Sequence, residues 1–199
     1  MARYSTAAWR AYRPEATDDR RAGAVQYASA GPGAGDCRIL GLDPGSRRTG
    51  FGVIELRAGQ PVHVANGCID VAGVALALRL RRIYEGISAL VDEHHPDEIA
   101  IERVFMHRNA DSALKLGQAR GAALCAAVAL GGVAHEYAPR AIKQAVTGYG
   151  AAGKPQVATM VMMLLALSKR PASDAADALA IALCHAQHRR VAVLLGRGA

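Results

Sequence analysis

A chain of 199 residues, 51% of them apolar, has room for one domain around a single core and too little for two full ones. Its formal charge of +7 favours an anionic partner, of which nucleic acid is the commonest. No uncharged apolar run reaches membrane-spanning length and no signal-peptide pattern opens the chain, so the expectation is a cytoplasmic protein without a membrane partner. Cys37, Cys68, Cys125 and Cys184 form no C-x-x-C pair and lie near no metal-spaced histidine. They suggest neither a zinc site nor a disulfide framework, and fit a reducing compartment.

Residues 1–36 are read as a disordered tail. They carry scattered Arg, Ala, Gly, Ser and Pro, show no lasting apolar period, and end in a Gly/Pro/Ala-rich run over 28–35. Glu15, Asp18 and Asp19 speak against a transit peptide. The folded domain is expected over 37–190, with a short tail at 191–199. Within it, Arg38-Ile-Leu-Gly-Leu-Asp43 reads as a buried strand stopped by Pro44-Gly45. Further strands follow at 49–56 and near 62–71, and their short connections suggest an antiparallel meander. Leu76, Leu80, Ile83, Ile87, Leu90 and Val91 recur at helical spacing, and Pro96 closes that helix. Ile99-Ala-Ile101 forms a fourth strand ending at Glu102, Asn109 can cap a helix running to about Leu130, and 133–137 is a fifth strand. The remainder reads as helical. The fold class is therefore α/β, with a mixed five-stranded sheet flanked by helices.

Four carboxylates stand where solvated surface charges are not expected. Asp43 and Glu102 each terminate an apolar strand, where α/β sheets usually place their sites. Asp174 and Asp177 open an otherwise apolar helix, and their i,i+3 spacing puts them on one face, about 5–6 Å apart at Cβ. Ser173 is read as the N-cap of that helix. A helix N-terminus by itself accounts for two aspartates, but it does not account for Asp43 and Glu102. Clustered carboxylates repel unless a positive charge neutralises them, and hard divalent cations such as Mg²⁺ prefer oxygen ligands. A pair of such ions can activate water and support the departing oxygen of a phosphodiester.

The residues themselves then carry a resemblance. Ile39-Leu-Gly-Leu-Asp43-Pro-Gly-Ser-Arg-Arg-Thr-Gly50-Phe-Gly resembles the opening motif of the RuvC resolvases. So do Ile101-Glu102-Arg-Val-Phe105-Met, the stretch from Asn109 to Gly121, and Asp174-Ala-Ala-Asp177-Ala-Leu-Ala, in the family's order. The resemblance covers about 38–187. It implies an RNase H-like fold and a metal-dependent endonuclease that makes paired nicks in four-way DNA junctions during recombination and repair. Such cuts leave 5′-phosphate and 3′-hydroxyl ends. It further implies a homodimer, two Mg²⁺ per subunit with Mn²⁺ as a substitute, and a branch-migration partner of the RuvAB type. Carried over by position, Asp43, Glu102, Asp174 and Asp177 are the catalytic metal ligands. The N-terminal tail departs from the family pattern.

The same resemblance gives Phe105 a role in stacking on a junction base, and makes Lys143 and Lys154 basic groups beside the site. As an arbitrary aromatic Phe105 would be core, and the lysines would be solvated surface. Arg47, Arg48 and Arg108 flank the same motifs as weaker candidates for phosphate contacts. Gly150-Ala-Ala-Gly-Lys154 lacks the full phosphate-loop pattern, because Pro155 occupies the Ser/Thr position. Ala113, Gly117, Gly121 and Cys125 form a row of small residues suited to a close helix neighbour, within the chain or across a dimer. His94 and His95 read as solvated helix-end residues, and His185 and His188 as lacking a ligand partner.

Three other functions share parts of this pattern. The Asp-x-Gly hairpin also occurs in the actin and sugar-kinase fold, but that fold needs two lobes and this chain has room for one. An RNase H-like nuclease acting on RNA or an RNA–DNA hybrid would use a similar carboxylate set, although the Asn109–Gly121 motif favours RuvC. A junction-binding module without catalysis would be expected to lack a carboxylate, and none is missing.

Overall fold

In the computed structural model the described residues are 36–103, 110–129 and 133–195. Phe105, Arg108, the Asn109 cap and all of the expected N-terminal tail except Asp36 lie outside them. Strand β1 (Cys37–Pro44) reads as a continuous apolar run because both of its faces are covered. Cys37 and Ile39 pack into one core layer, and Leu40 and Leu42 into the layer on the opposite face. Strands β2 (Arg48–Arg57) and β3 (Gln60–Asp70) continue antiparallel from β1, as the short turns predict. The β2–β3 connection is a two-residue turn in which Ala58 and Gly59 both take positive φ, 48° and 76°. That geometry matches the right-handed twist of the strands it joins.

Helix α1 (Leu76–His94) crosses to β4 (Glu98–Glu102), and α2 (Ala110–Ala129) crosses to β5 (Val133–Tyr137). Both of these strands run parallel to β1, which gives a mixed five-stranded sheet in the order β3-β2-β1-β4-β5. The apolar row of α1 buries Ile83, Ile87, Leu90 and Val91, whereas Leu76 at its start is 43% exposed and not part of the core. The helix ends at His95 in the left-handed conformation, immediately before Pro96. His95 is exposed as expected, but the His94 side chain is mostly covered. Three helices, α3 (Pro139–Thr147), α4 (Lys154–Leu164) and α5 (Ser173–Leu194), cover the face opposite α1 and α2.

Helix α5 is the central element of that layer, and all of its residues from Ala175 to Ala186 except Asp177 are buried. Its alanines allow a close approach, and three glycines beneath it complete the slot. A Cβ at Gly41 or Gly50 would fall far inside contact distance of the Ala178 or Asp174 carbonyl oxygen. One at Gly52 would lie 2.7 Å from Leu179 side-chain atoms. The helix therefore rests on bare backbone of β1 and β2, with its N-terminal turn over the end of β1.

Two boundary expectations are corrected. The N-cap of α5 is Ala172, without a side-chain capping bond, and Ser173 is already the first helical residue. The helix also runs on to Leu194, so residues 191–194 form its last turn and not a tail. All four cysteines are free thiols, with Cys37 and Cys184 buried. Among the described residues, no helix is long and apolar enough to cross a membrane.

The glycine slot makes a testable demand. Gly50→Ala has no space to relax against backbone, so it is expected to destabilise the fold by about 1–3 kcal/mol. Thermal unfolding should show a Tm several degrees below that of the parent chain; an unchanged Tm would contradict the seating of α5 described here.

Candidate active site

Parallel strands β1 and β4 are in register up to Leu42 opposite Ile101, so the next residues, Asp43 and Glu102, emerge side by side. The pleat turns both toward α5, because they alternate with Gly41 and Ala100, which lie under that layer. The first turn of α5, seated in the glycine slot, brings Asp174 and Asp177 over the same strand ends. Asp43, Glu102 and Asp177 line one cleft with Lys143 and Lys154, over an apolar floor that includes Ile142, Val157 and Ile181. Asp174 is close enough to act electrostatically on Asp43. All four predicted carboxylates thus converge from three separate elements.

Their environment is adverse to charge. Burial, then the neighbouring charges of Glu102 and Asp177, push the Asp43 carboxyl up to about 7. Glu102 is also raised, by burial first and by Asp177 second. Two cations oppose this. Lys154, the first residue of α4, donates from Nζ to Asp177 Oδ2 at 2.7 Å, and that bond holds the ammonium above its ordinary pKa. Lys143 projects from the middle of α3 and acts on Glu102. Two lysines facing four carboxylates leave an excess of negative charge in a partly covered cleft. Among the described residues the donors lining the cleft are carboxylate oxygens, with no histidine or cysteine, and such a set fits a hard divalent cation better than a zinc-type ion.

The remaining candidates separate. Arg47 is exposed, and Arg48 forms an exposed pair with Asp70 at 3.2 Å. The small-residue row on α2 does not pack inside the subunit: Gly117, Gly121 and Cys125 are exposed, while Ala119, Ala123, Ala126 and Ala127 face the core. Arg120 on α2 was not singled out from the sequence. It pairs with Glu136 of β5 at 2.6 Å and donates from Nε to the Glu102 carbonyl oxygen at 3.3 Å, which ties α2 to the Glu102 end of β4. His185 corrects the sequence reading: far from lacking a partner, it is 2% exposed and bonded to both Glu98 and Tyr137. No local signal reveals this, because the partners are 87 and 48 residues away.

The comparisons with known proteins agree with one another. The family model for crossover junction endodeoxyribonuclease RuvC matches residues 39–185. The crossover junction endodeoxyribonuclease RuvC of Methylococcus capsulatus is 54% identical over 160 residues, covering 80% of this chain and 96% of the relative. That of Alkalilimnicola ehrlichii is 55% identical over 148 residues, covering 74% and 90%. Among solved structures, Thermus thermophilus RuvC in complex with a Holliday junction substrate matches with a TM-score of 0.73 at 34% identity, covering 78% of this chain and 96% of that one. The expected RNase H-like architecture is the one observed, and the RNA-directed alternative gains no support from these relatives. With its four ordered motifs, its carboxylate cleft and these matches, the chain belongs to the RuvC family of crossover junction endodeoxyribonucleases.

Proposed function

We propose that this chain resolves Holliday junctions, cutting four-way DNA by paired, symmetric nicks that leave 5′-phosphate and 3′-hydroxyl ends. The observation that carries this reading is the convergence of Asp43, Glu102 and Asp177 on one cleft beside Lys143 and Lys154, with Asp174 near enough to act on Asp43. The setting is recombination and repair in the cytoplasm, alongside a branch-migration complex of the RuvAB type. The Thermus relative bound to a Holliday junction supports the choice of substrate.

The four carboxylates are the groups that would hold Mg²⁺, two ions per subunit, with Mn²⁺ as a substitute. When bound, such ions supply Lewis acidity and the positive charge that lets all four carboxylates ionise together. The protein's own part is to fix the acids before substrate arrives. β1 and β4 set the spacing of Asp43 and Glu102, and the glycine slot sets the height of Asp174 and Asp177. Lys154 and Lys143 place positive charge where a phosphate enters and where negative charge grows in the transition state. Phe105 is assigned to stack on a junction base, a sequence-tolerant contact.

Symmetric cutting of two strands calls for two copies of the site. The outer face of α2 supports a homodimer, since Leu114 is 62% and Val128 49% exposed there. No atom of the described residues would crowd a Cβ at Gly117 or Gly121, which favours close approach of a partner helix.

Cleavage of a synthetic four-way junction, with linear duplex and RNA–DNA hybrid as controls, tests the reading directly. Symmetric nicks that need Mg²⁺ and are confined to the junction are expected; equal cutting of the hybrid would overturn the substrate assignment. Asp43→Asn should abolish cleavage while leaving junction binding within a fewfold of the parent, because the basic surface is untouched. Lys154→Ala should slow cleavage about 10²-fold through lost charge stabilisation, and a rate equal to the parent's would remove Lys154 from the site.

The raised Asp43 pKa has a consequence for stability. Between 3.8, its ordinary value, and about 7, the fold retains a proton that the unfolded chain has released. In chelator-treated protein, stability from this group is therefore present at low pH and lost as pH rises through about 7. Asp43→Asn should flatten that decline and raise the Tm at pH ~8. An equally steep decline in the variant would show that burial and its neighbours do not hold Asp43 protonated.

A further inference from the structure

Glu98 and Glu102 mark the two ends of β4, about 13 Å apart at 3.3 Å per residue. Glu98, at the end away from the carboxylate cleft, faces His185 of α5 and His135 of edge strand β5. The potential ligand atoms of these three side chains all lie within 4.8 Å of one another. His135 Nε2 is 4.0 Å from Glu98 Oε2, and among the described residues neither of its ring nitrogens makes a hydrogen bond. The two imidazole rings lie against each other, with centroids 4.3 Å apart.

The far sides of His185 and Glu98 are also held. The Tyr137 hydroxyl is 2.6 Å from His185 Nδ1, which leaves Nε2 as the nitrogen aimed at Glu98. Arg189 binds Glu98 Oε1, which leaves Oε2 toward the two histidines. Outer partners that orient imidazole and carboxylate ligands in this way are the usual supports of a metal centre. Burial lowers the pKa of both His135 and His185, which disfavours their protonated forms.

From this geometry we propose that Glu98, His135 and His185 form a second metal site, for a nitrogen-preferring divalent ion of the Zn²⁺ or Co²⁺ class. Two histidines and one carboxylate leave a fourth position for water, the donor number that such ions accept. Mg²⁺ is a poor match, since it requires near-octahedral oxygen coordination. The ion would bind β4, β5 and α5 together at one point. Two of these, β4 and α5, carry Glu102, Asp174 and Asp177, so occupancy would stiffen the scaffold of the cleft without entering it. The site is independent of the substrate assignment.

Co²⁺ titration of the full-length protein in excess Mg²⁺ tests the proposal. Mg²⁺ occupies the oxygen-only cleft, and octahedral Co²⁺ on oxygen absorbs weakly in visible light, whereas histidine-ligated Co²⁺ of lower coordination absorbs strongly. A saturable visible band at one ion per chain is expected, displaced by Zn²⁺. His135→Ala, on the edge strand, should lose the band while keeping the parent's circular dichroism and Mg²⁺-dependent cleavage. Tyr137→Phe should keep the band but weaken Co²⁺ affinity about 10–100-fold, the usual effect of losing an orienting partner. No saturable band in the parent protein, or a band that survives His135→Ala, would overturn the proposal and leave the cluster a closed hydrogen-bond network.

Discussion

Bringing Asp43, Glu102, Asp174 and Asp177 into one cleft costs electrostatic free energy, because each ionised carboxylate disfavours ionisation of its neighbours. At Asp43 desolvation is the larger cost, and together with its neighbours it pushes the carboxyl up to about 7. Such an arrangement persists only if the surrounding structure leaves the acids nowhere else to go. Two features provide that constraint. Parallel pairing fixes Asp43 beside Glu102, and the slot formed by Gly41, Gly50 and Gly52 fixes the first turn of α5 above them. Helix α5 sits so low because its buried residues are mostly alanines and the strands below present no side chain at the contact. The site is thus a consequence of close packing, and its repulsion is what a divalent cation would relieve.

The lysines act within the same balance but at different depths. Lys154 is solvent-facing along most of its length and reaches inward only through its bond to Asp177. In the absence of other cations it offsets part of the excess charge, which is visible in the raised pKa of its own ammonium. Lys143, from the helix beyond, acts on Glu102. An incoming phosphodiester would meet both on the cleft's rim. A point charge on a flexible stem can follow a phosphate as the negative charge is redistributed, a task for which rigid bidentate geometry is not needed.

Much of this was legible in the sequence, and the physical reasons differ by residue. Asp43 and Glu102 stood out because a carboxylate ending a run buried on both faces has no structural purpose there. The aspartate pair was legible from helical periodicity. The α5 cap was misread because Ser173 is an excellent N-cap type, yet packing in the glycine slot decides where the helix begins and Ala172 takes the position. Leu76 fits the apolar period of α1, but it falls beyond the part of the helix that the core covers. The three glycines were visible as letters in a motif, but their function depends on a helix more than a hundred residues away. The Glu98–His135–His185 cluster was illegible for the same reason: its members come from two strands and a helix, and none is adjacent in sequence to another.

The two ends of β4 therefore present different ligand chemistry from a single rigid element. One end gathers oxygen donors whose mutual repulsion favours a hard ion and disfavours full ionisation without one. The other combines two neutral imidazoles with a carboxylate already balanced by Arg189, so its charge problem is solved before any ion arrives. That difference sets what each end can tolerate. A cation lost from the cleft would leave repelling acids, whereas one lost from the histidine end would leave a hydrogen-bonded network that still holds β4 and α5 together. The scaffold would then stay in place whether or not the cleft holds a cation.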